Sequence, residues 1–219
     1  MPRLPFSSRT DAGLKLAASL RSYAGKKDVL ILALVRGGVV VGKAIADALK
    51  LPLFPLVVRK LGHPAHREFA LGAIAEGGGT FLDESSMRMS GITWEDMEPI
   101  IEEEMEKLKR RKEVYAVRAR PDLSGMTVIL VDDGAATGAS LFAAIDDLRT
   151  YKVRKIIVAL PVSPPDTAVK LTEKADDVVV LATPDPFEAV GQWYEDFPQV
   201  EDQEVVKLLA SGTGTNAVQ

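Results

Sequence analysis

The sequence contains no cysteine, which excludes disulfide bonds, thiolate metal sites and a cysteine nucleophile. Histidine is nearly absent too, since His63 and His66 are the only two, and these are too few for most histidine-rich metal sites. No apolar run approaches the roughly 18 residues that span a membrane. The first residues also lack the apolar core of a signal peptide. These absences predict a cytoplasmic protein without a membrane segment.

The sequence also has no excess of basic residues, with 27 lysines and arginines against 31 aspartates and glutamates. The formal net charge is −4, which argues against a protein whose main partner is nucleic acid. Apolar residues make up 47% and charged residues 26% of the 219 residues, so the chain can bury a full core. We therefore expect one domain over residues 1–210, followed by a disordered tail over residues 211–219.

Apolar runs alternate with amphipathic stretches along the chain. The predicted strands are 29–35, 53–58, 128–131, 155–161 and 178–181. The predicted helices are 11–23, 39–50, 92–118, 141–151 and 164–174. Residues 59–79 show neither pattern, which predicts a long, mobile loop. The alternation predicts an α/β fold with a mainly parallel, twisted sheet and helices on both faces.

In such sheets ligands bind beyond the carboxyl ends of the strands. This rule places four segments along one rim: Arg36-Gly37-Gly38, the stretch that begins at Arg59, the loop at Asp132, and the residues after Leu181. We expect these segments to form a single site.

The most informative segment runs from Val128 to Ser140. An apolar strand ends in Asp132 and Asp133, and small residues and hydroxyls then lead into a helix. Loop amides and the helix N-terminus would converge on one point that favours a phosphate. Since the two carboxylates would repel a phosphate, they must contact another part of the ligand, such as sugar hydroxyls or a bound cation.

Two common phosphate loops do not match this segment. It lacks the lysine of a P-loop, and its glycine spacing differs from G-x-G-x-x-G. The segment instead resembles the phosphoribosyl-pyrophosphate (PRPP) loop of type I phosphoribosyltransferases, and the resemblance extends over about residues 28–200. It implies the α/β fold of that family, with a small hood formed by the terminal segments.

The same resemblance implies roles for the residues of the motif. Asp132 and Asp133 would bind the ribose hydroxyls of PRPP. The following loop would hold the 5′-phosphate through Gly134, Ala135, Ala136, Thr137, Gly138, Ala139 and Ser140.

Two further segments correspond to family features. Arg36-Gly37-Gly38 stands where the family has its pyrophosphate loop, and glycines there would let backbone amides approach an anion. The stretch of about 59–79 corresponds to a lid that closes over PRPP, with Arg59 and Lys60 as the catalytic candidates. The charged helix over about 92–118 is predicted as an insertion, with most of its charges on a solvated face.

The acceptor is less well defined. Residues 184–191 loosely resemble the segment of hypoxanthine-guanine phosphoribosyltransferases whose phenylalanine stacks on the purine. The match makes Phe187 the stacking ring, with Trp193 or Tyr194 nearby, although the spacing to the following glycine is one residue longer. Purine enzymes place an aspartate where this chain has Ala136, which argues against a purine that is handled by that mechanism.

The resemblance implies an enzyme that transfers a phosphoribosyl group from PRPP to an unidentified base or related small molecule and releases pyrophosphate. It implies that Mg²⁺ arrives with PRPP, without a metal site built by the protein alone, and that a homodimer is common. A non-catalytic regulatory protein that senses PRPP is the alternative. A different nucleotide-dependent transferase or kinase would be a third class.

Overall fold

The computed structural model describes residues 4–116 and 119–211, and this part of the chain contains two sheets. The strands are Val29–Leu34 (β1), Leu53–Leu56 (β2), Val58–Gly62 (β3), Ala70–Ala75 (β4), Thr80–Leu82 (β5), Thr127–Val131 (β6), Lys155–Val162 (β7) and Asp177–Ala182 (β8). The main sheet has the order β2-β1-β6-β7-β8, and all of its neighbouring strands are parallel. This confirms the predicted α/β fold.

Helices cover both faces of the main sheet. They are Arg9–Ser19 (α1), Gly37–Leu49 (α2), Glu84–Ser90 (α3), Trp94–Val114 (α4), Ala139–Thr150 (α5), Pro165–Lys174 (α6) and Asp202–Ala210 (α7). Alternate residues of β1 belong to two cores: Ile31 packs with α1 and α2, whereas Leu32 packs with α5. Because β1 and β6 are buried on both faces, their sequences are continuous apolar runs.

The prediction of a long loop over residues 59–79 is wrong, because many of these residues form strands. Residues 58–82 form an antiparallel sheet of three strands, β3-β4-β5, and only residues 63–69 connect β3 to β4 as a loop. Residues 71–75 of β4 are buried and contact α5. The strands are short, and Gly62 and Gly72 interrupt their side-chain pattern, so no clear periodicity was visible in the sequence.

The inserted helix is shorter than predicted. α4 begins after Thr93, whose hydroxyl accepts from the Asp96 amide in a capping box, and it ends at Val114. Met97 is buried on the side that packs against the core, as the apolar stripe predicted. The predicted end at Arg118 lies outside the described residues, as does the predicted tail beyond residue 211. The sequence did not predict α3 or α7.

The two terminal segments meet beside the carboxyl end of the sheet. The Phe6 amide donates to the Trp193 carbonyl at 2.8 Å, and the Glu195 amide donates to the Phe6 carbonyl at 2.8 Å. Phe6 and Tyr194 are buried in a small apolar cluster with Val162 at the end of β7. This layer corresponds to the hood that the resemblance implied.

None of the helices in the described ranges is both long enough and apolar enough to cross a membrane.

Candidate functional site

The carboxyl ends of β1 and β6 lie side by side, because Ala33 pairs in parallel with Val131. Arg36 follows β1, and Asp132 follows β6 directly. Parallel pairing therefore brings two of the predicted segments to the same point on the rim, although about a hundred residues separate them in sequence.

Gly37 and Gly38 lie against the acidic pair. A Cβ atom on Gly37 would lie 1.9 Å from Asp133 Oδ2, and one on Gly38 would lie 2.9 Å from Asp132 Oδ1. No other residue type fits without displacing these carboxylates. The two glycines are thus needed for close packing at this site, whatever they also do for a bound anion.

Asp132 and Asp133 are partly buried at the rim, and 15% of the Asp133 side chain is exposed. Burial raises the pKa of Asp132 well above its ordinary value, and repulsion from Asp133 acts in the same direction. Burial also raises the pKa of Asp133, although a hydrogen bond from Arg9 opposes that shift. The Asp133 amide donates to Asp132 Oδ1 at 2.8 Å. A cation or hydroxyl groups at this site would relieve the repulsion of the pair.

Arg9 on α1 is the main support of the pair. Its Nε donates to Asp133 Oδ2 at 2.7 Å, and its Nη1 donates to the Pro198 carbonyl at 2.7 Å. The guanidinium also stacks on the ring of Phe197, 3.7 Å from the ring centre. Since only 9% of the Arg9 side chain is exposed, this ion pair is largely shielded from solvent. Sequence analysis missed Arg9, because an isolated arginine 124 residues before its partner carries no local signal.

Two hydrogen bonds fix the loop from Gly134 to Gly138, and several of its backbone amides have no partner among the described residues. The Ala135 amide donates to the Val162 carbonyl at 3.0 Å, so it is already occupied. The Ala136 carbonyl accepts from Thr167 Oγ1 at 2.7 Å. In the described part of the chain, the amides of residues 136–138 donate to no protein acceptor. Residues 136–138 lead directly into the start of α5, where a phosphate would be favoured.

Gly138 lets the loop turn into α5. Its φ of 77° lies in the left-handed region, which favours glycine, and no side chain caps the helix at this residue. A Cβ atom there would also crowd Phe142 and Thr167, at 3.0 Å from each. Among the residues that the structure describes, the start of α5 has no side-chain cap apart from a 3.5 Å contact between the Ala139 amide and Thr137 Oγ1.

A cleft of about 720 Å³ opens beside the Arg36 turn, between the β3-β4 hairpin and α4. Its cationic lining residues are Arg36, Arg59, Lys60, Arg67, Lys107 and Arg111, and its acidic ones are Glu68, Glu103 and Glu104. The structure thus brings Arg36 together with Arg59 and Lys60, as the sequence predicted. The residues that α4 adds to this lining were not predicted as part of the site.

Carboxylates on α4 hold the arginines of the hairpin. Arg59 Nε donates to Glu104 Oε2, and Arg67 Nη2 donates to Glu103 Oε2 at 2.8 Å. Burial opposes the ionisation of Glu104, but hydrogen bonds from Lys107 and Arg59 hold its pKa below the ordinary value. The Arg59 side chain is therefore directed toward α4 by its ion pair with Glu104, whereas the neighbouring Lys60 is exposed.

The three aromatic acceptor candidates fall into two kinds of position. Phe187 and Trp193 are partly exposed, and their rings stack at a tilt with centres 6.0 Å apart. Tyr194 is buried between Phe6 and Phe197, and its hydroxyl donates to the Asp133 carbonyl at 2.5 Å. Burial raises the pKa of Tyr194, so its hydroxyl stays protonated and remains a donor. Tyr194 thus supports the acidic pair directly, and Phe187 and Trp193 are the rings open to a ligand.

Among residues 4–116 and 119–211, no group of three or more acidic or histidine side chains is arranged to hold a metal. Mg²⁺ usually keeps several waters and binds proteins through one or two carboxylates together with phosphates of a ligand. Asp132 and Asp133, with raised pKa values and one arginine partner, fit a cation that a phosphate ligand carries with it.

Comparison with known proteins gives a consistent result. Residues 9–196 match the family model described as the phosphoribosyl transferase domain. Over 205 residues the chain is 42% identical to a provisionally named phosphoribosyl transferase of Mycobacterium tuberculosis strain H37Rv. That match covers 93% of this chain and 46% of the relative, so the chain spans about half the length of the curated relatives it matches.

Solved structures show the same fold. The crystal structure of TT1426 from Thermus thermophilus superposes with a TM-score of 0.79 at 38% identity, covering 95% of this chain and 99% of that one. The AQ2163 protein from Aquifex aeolicus gives a TM-score of 0.51 at 12% identity, covering 79% of this chain and 73% of that one.

Proposed function

The chain belongs to the family of phosphoribosyl transferase domains, and from this premise we propose that it transfers the 5-phosphoribosyl group of PRPP to a nucleobase or related acceptor. One observation carries the proposal: a partly buried acidic pair precedes the loop that leads to the N-terminus of α5 and contacts the glycine turn that follows Arg36, which lines a cleft rich in cations. These three environments suit the sugar, the 5′-phosphate and the pyrophosphate of one ligand.

The arrangement supports a specific placement of PRPP. The 5′-phosphate would accept hydrogen bonds from the amides of residues 136–138 and from the hydroxyls of Thr137 and Ser140 at the start of α5. Asp132 and Asp133 would accept from the ribose hydroxyls. The pyrophosphate would then enter the cleft, where Arg36, Arg59 and Lys60 could contact it.

In the proposed reaction the bond between the anomeric carbon and the pyrophosphate oxygen breaks, and the acceptor forms a new bond to that carbon. Positive charge develops on the ribose and negative charge on the leaving pyrophosphate. The carboxylates of Asp132 and Asp133 would stabilise the first, and Arg59 and Lys60 would stabilise the second. Most of the rate enhancement would therefore come from placing fixed charges around the two reacting groups.

Mg²⁺ bound to the phosphates would neutralise part of the charge on the leaving group. Asp132 and Asp133 are the residues that would face such a cation, and its presence would favour their ionised forms.

We place the acceptor against Phe187 and Trp193, at the edge of the hood. The side chain at position 136 is the methyl of an exposed alanine, so this position offers no carboxylate to take a proton from the acceptor. This favours an acceptor that does not rely on an aspartate base at that position.

Calorimetry with PRPP and Mg²⁺ tests the binding part of the proposal. Asp132→Asn combined with Asp133→Asn should abolish detectable binding, because it removes both sugar-binding carboxylates. Asp176 and Asp177 form a matched control, since they are adjacent aspartates at the start of β8, at the opposite end of the strands. Their double replacement by asparagine should leave the affinity within about twofold. Unchanged binding in the Asp132 and Asp133 variant would refute the assigned role.

Incubation with PRPP, Mg²⁺ and a panel of bases, scored by pyrophosphate release, tests catalysis. We expect release that depends on one acceptor class and that falls when Lys60 is replaced by alanine. PRPP binding without acceptor-dependent release from any member of a broad panel would favour the sensing protein instead.

A further inference from the structure

Helix α4 forms one wall of the cation-rich cleft, although the sequence suggested only a solvated, charged helix. Lys107 and Arg111 both line the cleft. They stand four residues apart, which places them on the same face of α4 one turn from each other. Other cations of the helix, such as Lys109 and Arg110, are exposed to solvent and do not line the cleft.

Lys107 shares a carboxylate with the catalytic candidate Arg59. Its Nζ donates to Glu104 Oε1 at 2.7 Å, while Arg59 donates to the other oxygen of the same group. Only 8% of the Glu104 side chain is exposed, so this buried carboxylate fixes the positions of both cations. A second donation from Lys107 to Glu103 Oε1, at 2.5 Å, fixes the ammonium group further.

Arg111 and Arg36 likewise share a carboxylate, that of Asp202. Arg111 Nη2 lies 3.2 Å from Asp202 Oδ1 on α7, and Arg36 Nη1 lies 3.6 Å from the same oxygen. The buried Tyr115 hydroxyl donates to that oxygen at 2.6 Å and accepts from Arg111 Nε at 3.3 Å. Two guanidinium groups that approach one carboxylate oxygen are close enough for a single diphosphate to contact both.

We infer that Lys107 and Arg111 are further binding residues for the diphosphate of the ligand, and that α4 completes the anion site opposite Arg36 and Arg59. The inference rests on the proposed function, because it takes the cleft as the pyrophosphate site. Six cations and three carboxylates line the cleft, an excess of three positive charges, and Asp202 and Glu201 offset part of this excess through Arg36 and Arg111. Lys107 and Arg111 supply two of the six cations.

The test compares two double variants of the same helix that change the net charge equally. Lys107→Gln with Arg111→Gln removes the two cleft cations, and Lys109→Gln with Arg110→Gln removes two cations from the solvent side. Inorganic pyrophosphate with Mg²⁺, and PRPP with Mg²⁺, are titrated into each protein by calorimetry. The cleft variant should bind pyrophosphate at least about tenfold more weakly, and the control should stay within about twofold.

Lys107→Gln alone protects the test against a folding defect, because Arg111 also joins α4 to α7 through Tyr115 and Asp202. This single variant should keep the wild-type melting temperature within a few degrees and still lose several-fold in pyrophosphate affinity. Repeating the titrations at higher salt separates direct contacts from long-range attraction, since screening weakens the latter most.

Equal losses in the two double variants would overturn the inference, because they would show a general effect of charge. Wild-type affinity in the cleft variant would overturn it as well and would leave the proposed function intact. If the unmodified protein bound neither pyrophosphate nor PRPP, both the inference and the proposed function would fall.

Discussion

Replacing Arg9 tests whether the acidic pair depends on a single buried cation. In Arg9→Met, Asp133 loses its closest partner in a pair whose side chains are 9% and 15% exposed. Stranding a buried carboxylate in this way costs about 3 kcal/mol. The lost bond to the Pro198 carbonyl adds about 1 kcal/mol. We therefore expect the free energy of unfolding at pH 8 to fall by about 4 kcal/mol.

A double-mutant cycle isolates the ion pair from the other contacts of Arg9. Asp133→Asn alone should cost about 1 kcal/mol or less, because it also relieves the repulsion of Asp132. In the combined variant no carboxylate is stranded at position 133, so the loss should be smaller than the sum of the two single losses by about 3 kcal/mol, the cost of that stranding. Urea unfolding monitored by circular dichroism gives all four values.

The dependence on pH has a definite sign. Without Arg9, the hydrogen bond and the charge that most oppose the effect of burial are lost, so the pKa of Asp133 rises further above its unfolded value. Between the unfolded and folded pKa values the native state then binds more protons than the unfolded state, and stability falls as pH rises. The cost of Arg9→Met should thus be larger at pH 8 than at about pH 5.5.

A surface pair provides the control. Arg154 and Asp28 are also distant in sequence, but about half of each side chain is exposed, so Arg154→Met should cost about 1 kcal/mol or less. A coupling energy below about 0.5 kcal/mol in the Arg9 and Asp133 cycle would refute the reasoning, as would a cost that does not depend on pH.

Three further outcomes follow from the same site. Gly37→Ala should lower the free energy of unfolding by about 1–3 kcal/mol and abolish PRPP binding, because its Cβ would overlap Asp133 Oδ2. Urea unfolding measures the first effect and calorimetry the second, and wild-type affinity for PRPP would contradict the prediction. Tyr194→Phe should destabilise by about 1 kcal/mol by removing the bond to the Asp133 carbonyl. A raised KM for the acceptor with unchanged stability would instead assign Tyr194 to the acceptor. Asp132→Asn with Asp133→Asn should melt at the same or a higher temperature without ligand, with a gain that grows from about pH 5.5 to pH 8, since both raised pKa values make ionisation unfavourable for the native protein.

The central sheet was predictable because the burial of its strands is visible in their own amino-acid sequences. Residues 29–34 and 128–131 are continuous apolar runs, since helices cover both of their faces. The loop before α5 was predictable for a similar reason, because strand, turn and helix start follow one another within thirteen residues. In each case the chemistry that decides the structure is local.

The remaining parts of the site depend on contacts between distant segments. Arg9 and Asp133 are 124 residues apart in sequence and come into contact only through the tertiary fold. Asp202 begins a short helix near the end of the described chain, and nothing near it in sequence indicates that it faces Arg36 and Arg111. The β3-β4 hairpin was missed because a five-residue strand with a glycine at its end gives too few positions to reveal an alternation.

The site separates opposite charges across one glycine turn. Asp132 and Asp133 lie partly buried against Gly37 and Gly38, while the lining of the cleft beside Arg36 carries an excess of positive charge. A ligand that spans the turn would place its sugar against carboxylates and its diphosphate against cations. In a displacement at the anomeric carbon the sugar becomes more positive and the diphosphate more negative, so both interactions strengthen as the reaction proceeds. The ion pairs that hold the cleft cations before binding reduce the reorganisation that this requires. In the proposed reaction the acidic partners on α4 and α7, which by charge alone oppose an anion, can therefore still favour transfer over simple binding.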